Sequence, residues 1–184
     1  VLPPVDTRQQ LLPFAQISWQ DFERLCYRLV RLEANIEDSK IYGTQGDEQG
    51  GIDIFARTTS SDKYRVYQSK NEADFGPAKI KAAVEEFTKG EWLAKSDTFI
   101  LCTRESLRSS SRTAEIETQK DVLKSKEVSL LTWDQEELSV RLKSRPDIVD
   151  DFFGRAWVKA FCGDEEADRL GSRLHVQEVK KLRS

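Results

Sequence analysis

The sequence predicts an α/β protein with a central mixed sheet, helices on its flanks and a C-terminal helical extension. Three observations carry this prediction. An amphipathic pattern at helical spacing opens the ordered chain, two β-type runs separated by a short polar stretch follow, and strand-type and helix-type segments alternate thereafter. Alternation of this kind favours parallel strands joined by helices, on one side of an otherwise antiparallel sheet.

The first helix is predicted from Ser18, a residue typical of N-caps, and Asp21 three positions later resembles a weak capping box. Apolar residues then recur at helical spacing to about residue 34, and Glu23 lies beside that apolar stripe. A second helix is predicted to start at Pro77, since proline is favoured in a first helical turn.

The remaining elements follow from run length and apolar content. Later helices are predicted over residues 109–126 and 134–142. Five strands are predicted at residues 36–42, 52–56, 64–70, 98–103 and 128–133. The domain prediction is a lead-in over residues 1–17, a domain over residues 18–145 and a helical extension or linker over residues 146–184.

Composition excludes several classes of protein. The 184 residues carry 29 Lys and Arg against 32 Asp and Glu, a net charge of −3, so bulk charge does not favour nucleic-acid binding and only a local patch would. No apolar run is long enough to span a membrane, and the start of the sequence lacks the pattern of a secretory signal. The absence of methionine indicates a piece of a longer protein.

Cysteine and histidine usage narrows the chemistry. The three cysteines lie far apart, each among apolar residues, which suits buried thiols in a reducing cytosol and predicts a cytoplasmic protein. The only histidine is His175, near the C-terminal end, so a nucleophile–histidine pair or a histidine-rich zinc site is disfavoured. Any catalysis is expected to use carboxylates, lysine and a hard cation.

The most informative pattern joins a glycine turn to a hairpin. Gly50-Gly51-Ile52-Asp53 precedes, by fourteen residues, Gln68-Ser69-Lys70. On a strand Gln68 and Lys70 share one face, whereas Tyr67 and Ser69 share the other. If the hairpin brings Asp53 beside them, two oxygen-bearing side chains and the Ser69 carbonyl present the hard ligands that Mg²⁺ prefers. A lysine beside that cation suits phosphodiester hydrolysis.

This pattern resembles the PD-(D/E)XK nuclease superfamily, and within it the Mrr-like restriction endonuclease branch, which has Gln where most relatives have Glu. The segment 19–23 (Trp-Gln-Asp-Phe-Glu) resembles the first helix of that family. Residues 98–103, the serine-rich helix start at residues 109–111 with Ala114, and residues 128–133 resemble the rest of its core. The resemblance covers roughly residues 14–143 and implies a restriction-endonuclease-like core.

The resemblance also implies residue roles. Asp53 would be the main metal ligand, Gln68 a second ligand or a water-positioning group beside the Ser69 backbone carbonyl, and Lys70 the catalytic lysine. Glu23 would approach the metal directly or through water. Mg²⁺ is the implied cofactor, with Mn²⁺ as a substitute. Ser69 departs from the family, whose members often have Cys there, but it lies on the face turned away from the site.

Contacts with DNA are assigned less specifically. Lys79 and Lys81 lie near a predicted helix start, as do Ser109 and Arg112, and both positions suit phosphate groups. A solvated helix face explains Lys79 and Lys81 equally well. Two further features are interpreted from position alone: the loop 43–51 as able to enter a groove or flank the cleaved strand, and Glu85 and Glu86 as solvated.

We therefore expect a Mg²⁺-dependent endodeoxyribonuclease acting on double-stranded DNA with little sequence preference. The resemblance implies an effector of bacterial anti-phage defence, fused to a sensor or nucleotide-binding domain and active as a homo-oligomer. The alternative is a catalytically idle module with a nuclease fold that binds nucleic acid or mediates oligomerisation. Resolution of Holliday junctions is a third possibility, since the fold is shared.

Overall fold

The structure, a computed structural model, describes residues 8–43 and 50–182. The chain divides into two compact units, one comprising Phe14–Glu137 and the other the described parts of residues 1–13 and 138–184. The predicted domain boundaries at residues 17 and 145 stay a prediction. Residues 8–13 group with the second unit, where the Leu12 N–H donates to the Ser139 hydroxyl (3.2 Å) and the Gln9 N–H to the Ala160 carbonyl (2.9 Å).

The first unit contains a five-stranded mixed sheet. Its helices, after a single 3₁₀ turn at Phe14–Gln16, are α1 (Trp19–Val30), α2 (Pro77–Lys89) and α3 (Ser110–Lys124), with α4 (Gln135–Leu142) beginning at its end. Its strands are β1 (Ile36–Ile41), β2 (Ile54–Thr58), β3 (Tyr64–Lys70), β4 (Ser96–Thr103) and β5 (Ser129–Trp133). The predicted α/β class and the flanking helices are confirmed.

The strands follow one another in chain order across the sheet, from β1 to β5. β1, β2 and β3 form an antiparallel meander, whereas β4 and β5 pair in parallel with their neighbours through the helical connections α2 and α3. A meander needs only short turns, and parallel pairing needs crossovers, which explains why helices enter the sheet connections only after β3. The predicted mixed sheet with a parallel side is thus observed.

Helix α2 covers one face of the sheet through a continuous apolar cluster. Val66 of β3 and Phe99 of β4 belong to it, and Phe99 stacks on Phe87 of α2 with ring centroids 4.4 Å apart. Tyr67 is buried outside this cluster, since successive side chains of a strand face opposite sides. Helix α1 contacts β1 and β3 through its own buried stripe.

Two predicted boundaries are wrong for local reasons. Helix α1 ends at Val30 instead of about residue 34, because the N–H groups of Leu32 and Glu33 bond three residues back and tighten the last turn. Strand β2 begins at Ile54 instead of residue 52, because Gly50 and Gly51 form a turn with positive φ angles (58° and 76°) just before it. The predicted N-cap is confirmed, since the Ser18 hydroxyl accepts from the Asp21 N–H.

The second unit is helical, as predicted for the chain end. After α4 it contains α5 (Pro146–Phe153), α6 (Arg155–Trp157), a π-helical turn (Val158–Cys162) and α7 (Asp164–Leu182).

All three cysteines of the chain are buried, as their apolar neighbours predict. Among the described residues, no helix is both long and apolar enough to cross a membrane.

Candidate active site

The residues singled out on the glycine turn and on β3 meet where β3 ends. Ile54 is paired with Tyr67, so Asp53, one residue earlier on the antiparallel neighbour, lies beside the Gln68–Lys70 end of β3. The Asp53 N–H donates to the Tyr67 carbonyl at 2.8 Å. Asp53 itself precedes β2, which corrects the prediction that it belongs to that strand.

The Asp53 side chain extends the pairing of the two strands. One of its carboxylate oxygens, Oδ2, accepts a hydrogen bond of 2.6 Å from the Ser69 backbone N–H. In a strand the N–H and C=O groups of one residue lie on the same edge, so the Ser69 carbonyl also faces the Asp53 side. Two of the predicted metal ligands, the Asp53 carboxylate and the Ser69 carbonyl, therefore lie on the same side of β3.

A tight glycine turn holds Asp53 in place against α2. A Cβ atom on Gly51 would lie 2.6 Å from the Phe87 backbone nitrogen, and one on Gly90 would lie 2.3 Å from the Gly50 carbonyl oxygen. Only glycine allows backbones to approach so closely, and the positive φ of Gly51 adds a second requirement for it. The turn that carries Asp53 is thus packed on the C-terminal half of α2.

Gln68 is the most deeply buried polar residue of the site, with 2% of its surface exposed. Its Nε2 donates to Oε2 of Glu86 at 3.1 Å. Its Oε1 is buried and has no hydrogen-bond partner among the described residues. Buried amide oxygens are normally paired, so this atom has an acceptor position free for a ligand.

Lys70 lies on the same face of β3 as Gln68, as the two-residue spacing predicts, and its Nζ is 3.4 Å from the same Glu86 oxygen. The Lys70 side chain is 25% exposed, so its ammonium group is held at the edge of the protein interior while staying within reach of solvent. Tyr67, on the opposite face, packs against Trp133.

Glu86 is the residue that the sequence interpretation missed. Glu85 and Glu86 are both exposed, as expected, but Glu86 also accepts hydrogen bonds from two predicted site residues. The reason is helical geometry: Glu86 precedes Phe87, whose backbone meets the Gly51 turn and whose ring packs on β4, so this part of α2 lies over the site. No motif in the sequence connects it to Gln68, eighteen residues earlier.

Glu23 approaches the site from the second turn of α1 and is partly buried. Burial raises the pKa of its carboxyl, the charge of Asp53 raises it further, and Arg24 lowers it. Burial likewise raises the pKa of Asp53, the Ser69 N–H and Lys70 lower it, and Glu86 raises it. The charge of Asp53 therefore acts on the Glu23 carboxyl, which indicates that the two predicted carboxylates lie near each other.

Asn71 connects the end of β3 with the segment before α1. Its Nδ2 donates to the Ile17 carbonyl at 3.1 Å, and its Oδ1 accepts from Arg104 at 3.4 Å. Asn71 directly follows Lys70, so this bond fixes the start of α1, and with it Glu23, relative to the catalytic lysine candidate. The sequence interpretation assigned Asn71 no role.

A divalent cation would find hard oxygen ligands here. Within the described residues no three His, Cys, Asp or Glu side chains group as a metal site, and the oxygen groups to consider are a mixed set. The carboxylate of Asp53, the unpartnered Oε1 of Gln68 and the Ser69 carbonyl are such a mixed set, and the charge of Asp53 is felt by the Glu23 carboxyl nearby. Oxygen ligands of this kind fit Mg²⁺ or Mn²⁺, and not a thiolate-seeking metal.

The four residues predicted to contact DNA already have partners within the protein. The Lys79 Nζ is 2.8 Å from both the Glu72 carboxylate and the Ala73 carbonyl, and Lys81 is 3.9 Å from Glu85. The other two lie at the start of α3. Ser109 caps that helix, and Arg112 donates to the Ser106 carbonyl at 2.7 Å.

The loop 43–51 is described at Gly43 and at Gly50 and Gly51, while its residues 44–49 lie outside the described part, so the prediction for this loop is untested.

Comparison with protein-family models finds no family that matches the chain, and comparison with curated proteins finds no match either. The relation to the Mrr-like nucleases remains a prediction that depends on the residues themselves.

Proposed function

We propose that the protein is a metal-dependent DNA endonuclease that hydrolyses phosphodiester bonds. The observation that carries this proposal is the buried, unpartnered Oε1 of Gln68, on a strand end where Lys70 shares its Glu86 partner and Ser69 binds Asp53. An amide oxygen and two carboxylates near the end of β3 are the ligands expected for a hard cation. The ammonium group of Lys70 beside them suits a phosphate group.

The order of elements supports the same proposal. Helix α1, which bears Glu23, precedes the antiparallel meander of β1, β2 and β3. Asp53 lies just before β2, and Lys70 is the last residue of β3. Helix α2 then leads to the parallel strand β4. This arrangement is consistent with a restriction-endonuclease-like core. It is the finer fold assignment that we propose for the observed mixed sheet.

The roles of the chain's own residues follow from their positions. Asp53, the Gln68 amide oxygen and the Ser69 carbonyl would hold the cation, with Glu23 contributing directly or through water. A bound cation of this kind polarises phosphoryl oxygens and makes a bound water easier to ionise. Lys70, whose ammonium group reaches solvent, donates hydrogen bonds to the attacking water or to a phosphate oxygen and stabilises developing negative charge.

The proposed substrate is double-stranded DNA cut with little sequence preference. By the same resemblance we propose a cytoplasmic effector of anti-phage defence that is active as a homo-oligomer and is fused to a sensor or nucleotide-binding domain. Paired active sites in an oligomer would account for cleavage of both strands.

Plasmid cleavage with Mg²⁺ tests the proposal. Wild-type protein is compared with Asp53→Ala and Lys70→Ala, and with Glu85→Ala as a matched surface control, because Glu85 is an exposed carboxylate of α2 outside the site. We expect each site variant to lose at least about a hundredfold in rate, and the control to cut like wild type.

Three outcomes would change the assignment. Site variants that cut as fast as wild type would place the chemistry elsewhere. A wild-type protein that binds DNA without cutting it, with Mg²⁺ or Mn²⁺ and in its full-length form, would favour the idle binding module. Faster cutting of four-way junctions than of linear duplex would identify a junction resolvase.

A further inference from the structure

One oxygen of Glu86 accepts from both donors on the site face of β3. Its Oε2 is 3.1 Å from Nε2 of Gln68 and 3.4 Å from Nζ of Lys70. The Glu86 side chain is 53% exposed, so it is a surface carboxylate that reaches inward to two more enclosed partners. The carboxylate of its neighbour Glu85 makes a long ion pair of 3.9 Å with Lys81 on the same helix.

This contact determines which way the Gln68 amide is turned. A carboxylate only accepts hydrogen bonds, so the amide nitrogen must face Glu86 and the amide oxygen must face away. The oxygen that faces away is the buried atom without a partner among the described residues. Glu86 thereby presents an oxygen ligand where a free amide could equally present an N–H donor.

We propose that Glu86 is a positioning residue of this site, and that Gln68 and Glu86 form an amide–carboxylate pair which fixes both the Gln68 oxygen and Lys70. This inference rests on the proposed cation site and extends it to a residue on α2. Helix α2 supplies a negative charge beside Lys70, in addition to that of Asp53, and the neutral amide of Gln68 keeps a second carboxylate from facing Glu86.

The pair predicts an asymmetry between single and double variants. Gln68→Glu alone would set two carboxylates about 3 Å apart, and like charges at that distance destabilise the folded state. In Gln68→Glu/Glu86→Gln the amide donor lies on α2 and the acceptor on β3, so the hydrogen bond is restored in reverse. The second carboxylate oxygen introduced at position 68 would then take the place of the amide oxygen as a ligand.

The experiment combines thermal unfolding without divalent cations and Mn²⁺ binding followed by electron paramagnetic resonance. The variants are Glu86→Ala, Gln68→Glu and the double exchange, with Glu85→Ala as the matched control. We expect Glu86→Ala to weaken Mn²⁺ binding by about tenfold or more, as for other groups that orient metal ligands. Gln68→Glu should lower the unfolding temperature, the double exchange should recover most of that loss, and Glu85→Ala should change neither quantity.

The proposal is overturned if Glu86→Ala binds Mn²⁺ like wild type, if the double exchange is no more stable than Gln68→Glu, or if wild type itself binds no Mn²⁺. A Glu86 of purely structural importance would change the unfolding temperature, and the reciprocal exchange would recover it, but Glu86→Ala would leave Mn²⁺ binding unchanged. Plasmid cleavage separates this result from the nuclease assignment. If the variants behave as expected but the protein never cuts DNA, the nuclease assignment alone is wrong. If the protein cuts DNA but the variants do not behave as expected, the role of Glu86 alone is wrong.

Discussion

The Asp53 carboxylate accepts a 2.6 Å hydrogen bond from the backbone N–H of Ser69, two residues beyond the Tyr67 carbonyl to which the Asp53 N–H donates. A side chain thus takes the place of a backbone acceptor at the point where the β2 chain turns away from β3. The hydrogen bond fixes one oxygen of the Asp53 carboxylate against β3. The negative charge of Asp53 is therefore held where few water molecules can reach it.

Asp53→Asn is expected to stabilise the folded protein at neutral pH in the absence of divalent cations. Burial raises the pKa of Asp53 above its ordinary value, so between the two values the folded state binds more protons than the unfolded state. Stability contributed by this group is then lost as pH rises through that window, and the ionised carboxylate is a net cost at neutral pH. Asparagine removes the charge and keeps an oxygen to accept from Ser69.

Chemical denaturation of wild type and Asp53→Asn at several pH values measures this effect. The advantage of the variant should shrink as pH falls through the raised pKa of Asp53 and should vanish below the ordinary pKa of aspartate, where the folded and unfolded wild type both carry a protonated carboxyl. Mg²⁺ should reverse the order by stabilising only the wild type, in proportion to its binding. An Asp53→Asn protein that is less stable than wild type at neutral pH, without cations, would contradict the prediction.

Gly51→Ala is expected to destabilise the first unit by about 3 kcal/mol. Alanine would be strained at the positive φ of this position, and its methyl group would be too close to the neighbouring backbone. The added methyl group would lie 2.6 Å from the Phe87 backbone nitrogen, and backbone of a packed helix cannot withdraw as a flexible side chain can. Gly76→Ala is the control, because its Cβ would meet only the Asp74 carbonyl oxygen at 3.9 Å. Urea unfolding measures both variants, and equal losses of stability would show that the turn is not tightly packed.

The sequence predicted what depends on local order. The N-cap at Ser18, the helix start at Pro77 and the bounds of β3 are properties of a few neighbouring residues, and the structure has them as predicted. The shared face of Gln68 and Lys70 follows from the two-residue period of a strand.

What the sequence did not reveal depends on packing between distant elements. Glu86 reaches Gln68 because the glycine turn and α2 approach within backbone contact, and nothing in the residues around Glu86 distinguishes it from Glu85. Asn71 is similar, since its partner Ile17 lies 54 positions earlier. In both cases the contact is set by tertiary structure and has no local pattern.

Asn71→Ala is expected to cost about 1–2 kcal/mol, the range for losing a hydrogen bond and leaving a partly buried carbonyl unpaired. It removes the donor to the Ile17 carbonyl, so the start of α1 loses its connection to the end of β3. If the nuclease assignment holds, Glu23 should become less well placed and cleavage should slow while DNA affinity stays unchanged. Asn71→Asp, which keeps the acceptor for Arg104 but lacks the Nδ2 donor, should behave like the alanine variant. Activity equal to wild type in both variants would contradict this role.

Lys81→Ala is expected to reduce the salt dependence of DNA binding more than Lys79→Ala does. The Lys81 side chain is 61% exposed with its carboxylate partner 3.9 Å away, whereas Lys79 is held at 2.8 Å by Glu72 and would have to give up that pair to bind phosphate. Each phosphate contact contributes about 0.9 to the slope of log K against log salt, so losing one should lower the slope by about that amount. Fluorescence anisotropy on a short duplex, over a range of salt concentrations and with Ca²⁺ in place of Mg²⁺, measures it. Lys63→Ala, just before the opposite end of β3, is the control, and a slope change there as large as that of Lys81→Ala would show that the start of α2 is not the phosphate-binding surface.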